Sequence, residues 1–451
     1  MSAASRLIDF VLRQRAMAGA MATLVIKASG AVLMIVVFTL AARSMSTAAF
    51  GELAIWFNAL SCLAVASVFG QETLIGRSWG EYAAQKRPDL MIGAYRFGWT
   101  TAAICAVIAC CGLLVVCRVL AIPLPALALF AACAFVAAQT LLHYSSHSTR
   151  MIIGYLVSEP HRELTWRVVL LAVVALHLNG SLTIETFFLA AAAGMTLSIA
   201  SQLFFTLRDF PVNTKLTRPT YLRREWLGRA SGMFLSATVE GLSQYAEVIV
   251  LGFLATPSAA AGYFIASRIA NIFPMLSSGL NTYMVTSASH LHFAGKLDRL
   301  QNVMRSVMTM AFFFAAPIYI VLAFAAGPIL SIFGAAYALD RSALIVLATA
   351  SFIVTLSGPS SALLLITGGE RLWSRIAFFS LILRIAIMSQ LAPEYGAVGA
   401  AASWAVVNIP VAIAASLLCR QRCGVDPSVL ALLSYFRQGR PLQSANQISA
   451  P

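Results

Sequence analysis

The stretch "ATVEGLSQYAEVIVLG", residues 237–252, decides how this chain is read. Its flanks, 232–235 and 249–255, are apolar enough for lipid, yet it carries Glu240 and Glu247. Residues seven apart in a helix lie about two turns apart on one face. Glu240 and Glu247 therefore share a stripe with Ser236, Ser243 and Gln244. In a membrane span, an ionised carboxylate costs roughly 2.5–3.5 kcal/mol at mid-bilayer. Such a stripe must face protein or a water-filled cavity, because lipid cannot satisfy it.

The rest of the chain says that it is a span. Of 451 residues, 60% are hydrophobic and only 11% are charged, and mean hydropathy is +0.83. Soluble domains are roughly 25% charged. A chain this apolar cannot present a polar surface to water on all sides, so it is an all-α polytopic membrane protein. Apolar runs of about 20 residues recur. They predict about twelve spans: 20–42, 51–72, 91–117, 124–147, 163–178, 183–207, 229–254, 259–288, 303–327, 342–367, 372–391 and 396–419. The fourth and fifth are the least sharply bounded, because 143–167 mixes polar and apolar residues.

The basic residues orient this map. With both termini in the cytoplasm, 25 of the 31 Lys and Arg fall on that side, counting Arg150–Arg167 among the inner loops. Only Arg43, Arg118 and Arg341 fall outside, and Lys27, Arg268 and Arg384 lie within spans. This asymmetry is a positive-inside signal. Basic rims facing anionic headgroups account for the net charge of +14 without nucleic acid. The eight cysteines lie mostly in spans, where thiols pack as small apolar groups. Residues 1–19 read as a short cytoplasmic lead. The basic segment 208–228 divides six spans (20–207) from six (229–419), and 420–451 form a cytoplasmic tail, disordered beyond Arg440.

Equal halves invite a search for a repeat. Thr47-Ala-Ala-Phe-Gly51 aligns with Ser258-Ala-Ala-Ala-Gly262, each a small-residue hairpin after the first span of its half. With "AARSMSTAAFGELAIW", "VFGQETLIGRSWGEY", "AEVIVLGFLATPSAAAGYFIASRIANI" and "PEYGAVGAAASWAV", the chain resembles a known family. It is similar to the Wzx-type O-antigen and exopolysaccharide flippases of the multidrug/oligosaccharidyl-lipid/polysaccharide (MOP) superfamily. The resemblance runs from about residue 16 to 422. That family usually has Asp where Glu247 stands. The resemblance implies two pseudo-two-fold-related, MATE/MOP-like six-helix lobes around an alternately opening cavity. It also implies a bacterial inner-membrane location and an undecaprenyl-pyrophosphate-linked oligosaccharide as cargo. Polysaccharide polymerase and export proteins follow as partners, beside the membrane lipids.

Glu240 and Glu247 have two readings. They are either interhelical glue or a proton or cation site. Lys27, Arg268 and Arg384 either pair with them or form a cationic cavity wall for a pyrophosphate, to which forked guanidinium donors are suited. Arg268 shares a stripe with Asn271 and Asn281, near a kink expected at Pro274. Arg77, with Gln71 and Glu72, marks the inner mouth of span 2, as inside anchor or cavity residue. In "QTLLHYSSHSTR", Gln139, His143, His147 and Arg150 follow one helical face and read as a polar lining. His143 and His147 have a zinc-like spacing but no third ligand, so no metal is expected.

No phosphate-cradling loop or nucleotide motif is present. Outer loops are short, with Glu52, Glu185, Asp340 and Glu394 scattered among them. This disfavours a membrane-embedded polymerase or glycosyltransferase, and no catalytic residue or cofactor is expected. The closer rival is a multidrug or toxin exporter of the same superfamily.

Overall fold

An apolar segment in a bilayer has no water to satisfy its backbone, so it closes every N–H and C=O within itself as a helix. The computed structural model follows that rule. It describes residues 3–122, 124–178, 182–210, 217–278, 291, 296–366 and 369–431, and among them there are helices and no strand. In chain order the helices are α1 (Ala3–Ser44), α2 (Thr47–Ser67), α3 (Gln71–Ala84), α4 (Pro88–Val119), α5 (Ala126–Ile153), α6 (Tyr155–Pro160) and α7 (Trp166–Leu176). They continue with α8 (Ile184–Arg208), α9 (Arg223–Leu254), α10 (Pro257–Ala270), α11 (Leu297–Phe324) and α12 (Ala326–Ser331). The last three are α13 (Arg341–Leu356), α14 (Ser360–Ile366) and α15 (Glu370–Cys423).

Among the described residues, nine helices are long and apolar enough to cross a membrane. The chain is a multi-pass membrane protein. Each of the twelve expected spans falls mainly on helix over its described part, with breaks at 68–70 in the second and 357–359 in the tenth. Spans 11 and 12 are merged in the run Leu372–Cys423, and span 7 appears as the shorter apolar helix Gly241–Leu254. Spans 11 and 12 are divided inside α15 by Gly396, whose φ of 52° and ψ of −126° interrupt the helix. An L side chain is strained there, so "PEYGAVG" is a turn built on a glycine. Asn281 and the tail beyond Ala431 lie outside the described residues.

Packing groups the chain into two units, Met1–Ala261 and Gly262–Pro451. The sequence division at 208–228 is one of connectivity, whereas this grouping is one of contact. In the first unit α9 packs along α2 and also against α3. A cluster of Trp79, Tyr82, Tyr95, Phe210, Trp226 and Ala230 binds α3 and α4 to the start of α9. Inside it the Trp226 indole N–H donates to the Tyr82 hydroxyl at 2.8 Å. Lipid supplies no hydrophobic drive between helices, so interhelical hydrogen bonds and close packing carry the association. Tyr144 Oη donates to the Tyr95 carbonyl at 2.7 Å, and Thr140 Oγ1 to the Ala64 carbonyl at 3.2 Å.

The second unit uses the same glue. The Gln301 side chain exchanges two hydrogen bonds with the Asp426 backbone, at 2.9 and 2.8 Å. Ser416 and Ser360 share a hydroxyl contact at 3.0 Å, linking α14 to α15. Tyr319 stacks on Phe352 with centroids 4.7 Å apart.

Both small-residue hairpins lead into capped helices: Ser46 accepts from the Ala49 N–H and Thr256 from the Ala259 N–H, each at 3.2 Å.

Candidate functional site

The first unit contains a charged interior, and its origin is local. Helix α5 ends at Gly154, a single residue at φ 101° before α6 begins. Pro160 then removes a backbone donor. The chain continues through a π turn, His161–Thr165, into α7. Such turns widen the helix and re-aim side chains. Residues 155–176 thus form one helical rod, about 33 Å long at 1.5 Å per residue.

The helix that carries the expected fifth span, 163–178, begins before it, at Tyr155, and only Gly154 separates it from α5. Arg162 and Arg167, counted above with the inner loops, lie within this helix.

Three ion pairs follow. Arg150 Nη2 lies 2.6 Å from Glu159 Oε1, with the Glu159 side chain 0% exposed and Arg150 15%. Arg167 Nη1 lies 2.6 Å from Glu163 Oε2, and Arg162 Nε lies 3.6 Å from Glu163 Oε1. Arg167 Nη1 also donates to the Glu163 carbonyl, and its guanidinium lies 4.8 Å above the Trp166 ring. Among the described residues Glu159 Oε2 has no hydrogen-bond partner.

A polar lattice ties this helix to α5 and α8. The Gln202 amide donates to Ser146 Oγ at 3.0 Å and to the Ser158 carbonyl at 3.2 Å. Ser158 Oγ donates to the Ser146 carbonyl at 2.7 Å. Thr149 meets Thr206 at 3.0 Å, and His161 Nδ1 meets Ser201 Oγ at 3.0 Å. His147 Nδ1 is held on the His143 carbonyl at 2.9 Å. Helix α1 comes close at Gly30, where an added Cβ would stand 2.9 Å from both Arg167 Nη1 and the Glu163 carbonyl. Only a residue without a side chain lets the helices approach so closely.

The structure therefore gathers Lys27, His143 and Arg150, three residues expected to line a cavity. His147 is within electrostatic reach of Arg162, Arg150 and Lys27, and His143 of Arg162. Sequence reasoning missed Glu159, Arg162, Glu163 and Arg167. The signal was present: Glu163 and Arg167 have the i, i+4 spacing of a helical ion pair. Arg150, Arg162 and Arg167 face Glu159 and Glu163, and exposed Lys27 of α1, within electrostatic reach of His147, brings the local net charge to +2 with the histidines neutral.

The other candidates lie elsewhere. Arg77 is exposed on α3. Glu247 is buried on α9, at 6% exposure. The Glu240 side chain lies outside the described residues, although its backbone is helical. In the second unit the Arg268 guanidinium lies 4.9 Å over the Phe264 ring. Asn271 is an exposed turn residue shortly before Pro274, and Arg384 is buried on α15. Among the described residues no cluster of three metal-ligating side chains occurs.

No family model and no curated sequence matches the chain. Solved structures do match it. An inward-facing multidrug resistance MATE family transporter of the MOP superfamily is 12% identical, with TM-score 0.71, covering 89% of this chain and 98% of that one. The lipid II flippase MurJ, in an inward closed conformation, is 13% identical, with TM-score 0.66 and 91% of each chain covered. A MOP superfamily transporter from Pyrococcus furiosus, described by the reverse polarity of its binding pocket, is 16% identical. It has TM-score 0.58 and covers 89% and 95%. The chain thus has the MOP transporter fold, and these structural neighbours are transporters rather than enzymes.

Proposed function

We propose that this protein flips an undecaprenyl-pyrophosphate-linked oligosaccharide across a bacterial inner membrane, for surface polysaccharide synthesis. The observation that carries the reading is the net +2 cluster on α1, α5 and the 155–176 helix. A pyrophosphate diester bears two negative charges, so cluster and headgroup neutralise one another. A cationic drug would meet repulsion instead, which weighs against the multidrug-exporter reading. The resemblance to sugar-lipid flippases and the fold shared with a lipid II flippase point the same way.

In this reading the sugar and pyrophosphate enter from the cytoplasm while the polyprenyl tail stays in lipid. The halves then rock to release the sugar outward by alternating access. Both termini are cytoplasmic, and the cargo passes on to polymerase and export proteins. Glu247 and Glu240 bias the cycle through a proton or sodium ion, and Arg268, Asn271, Arg384 and Arg77 contribute to the cavity wall.

The test is flipping of a labelled lipid-linked oligosaccharide in reconstituted vesicles. Arg162→Ala and Arg167→Ala should each lower flipping at least about tenfold, the effect of losing one charge-assisted contact. Efflux of cationic dyes without sugar-lipid flipping would overturn the proposal. Normal flipping by both Glu247→Gln and Arg268→Ala would remove those residues from it.

A further inference from the structure

The two carboxylates of the cluster are placed differently. Glu159 is sealed, at 0% exposure. Glu163 is reachable at 14%, beside Arg162 at 25% and Arg167 at 18%. We infer that Glu163 is an internal stand-in for the cargo's phosphate: it holds Arg162 and Arg167 between transport cycles and is displaced when a pyrophosphate diester enters. This rests on the proposed function for the identity of the anion.

Three features support the exchange. A carboxylate and a phosphate offer a guanidinium the same paired acceptors, and Glu163 spreads its two oxygens over two arginines. Its grip is uneven: 2.6 Å to Arg167 is a hydrogen bond, whereas 3.6 Å to Arg162 is attraction without one. Arg167 does not depend on the carboxylate alone, since it also donates to the Glu163 carbonyl and stacks on Trp166. Released from Glu163, the two arginines present +2 to the incoming group.

The exchange has a consequence for selectivity. The bilayer is full of monoanionic phosphodiesters, which outnumber any sugar-lipid cargo. A resident carboxylate already supplies one negative charge, so a monoanion gains little by replacing it. A dianion gains a second charge–charge attraction. Glu163 therefore acts as a specificity residue that excludes ordinary phospholipid headgroups through competition.

The experiment compares wild type, Glu163→Gln and Glu163→Asp in phosphatidylcholine vesicles, with and without phosphatidylglycerol. In pure phosphatidylcholine, Glu163→Gln should lower half-saturating cargo about fivefold or more and lower maximal flipping by a similar factor, as expected when a competitor of binding is removed and release slows. Phosphatidylglycerol should then inhibit Glu163→Gln but not wild type, and Glu163→Asp should behave as wild type. Half-saturation that is unchanged or raised in Glu163→Gln, or equal insensitivity to phosphatidylglycerol, overturns the inference. A second measurement needs no variant at position 163. Inorganic pyrophosphate titrated into the intact wild-type protein should change tryptophan emission saturably as Arg167 shifts over Trp166, and Trp166→Phe should abolish the change. A flat titration overturns the exchange. A responsive titration in a protein that flips no sugar-lipid keeps the exchange and overturns the transport reading alone.

Discussion

Replacing Glu159 by Gln isolates the energetics of the buried pair. The substitution keeps the shape of the side chain and removes its charge, leaving the Arg150 guanidinium 15% exposed without its counter-ion. Breaking one partner of a buried pair costs about 3–5 kcal/mol, because the remaining charge is still desolvated. At roughly 2–4 °C per kcal/mol for a unit of this size, the melting temperature should fall by roughly 6–20 °C. The assay is thermal unfolding in detergent micelles followed by a thiol-reactive fluorophore, for which the buried free Cys117 reports on the same unit. The double variant Arg150→Leu, Glu159→Leu should recover most of the loss, since an apolar pair of similar bulk replaces a buried ion pair at little net cost. A Glu159→Gln shift below about 2 °C, or a double variant no better than the single, would refute the claim that this pair is sealed and mutually dependent.

Two further outcomes follow from glycines. Gly30→Leu should reduce flipping at least about tenfold with the protein still expressed and folded, because a displacement of about 1 Å at a site is enough for such a loss; normal flipping would place α1 away from the Glu163–Arg167 pair. Gly396→Ala should lower stability by about 1–3 kcal/mol, the cost of forcing a side chain into a sparsely allowed backbone region, read by the same thermal assay.

Helices were easy to read from the sequence where apolarity was uninterrupted, and hard where it was not. Spans such as 91–117 and 303–327 carry long Val, Ile, Phe and Ala runs, and the structure places helices there. Lys27, His143 and Arg150 stood out because a charge or imidazole in an apolar run has few innocent explanations. The segment "SEPHRELTW" gave the opposite impression. Proline and three charged residues suggest a loop, yet Pro160 lies inside a helix, and the π turn His161–Thr165 follows it directly. The charges are tolerated because Glu159 pairs with Arg150 of α5 and Glu163 with Arg162 and Arg167, and no reading of that segment alone contains Arg150 or Arg167.

The link at Gly154 constrains motion more than a longer loop would. Helices α5 and α6 meet through one residue, so neither can slide along its axis without the other. Two dihedral angles at one position are the whole freedom of the joint. Any movement that separates Arg150 from Glu159 is then a rotation about that point, and the charges at 159–167 swing together on a single arm. A substitution that stiffens Gly154 restricts one rotor and leaves every side chain of the charged cluster chemically unchanged.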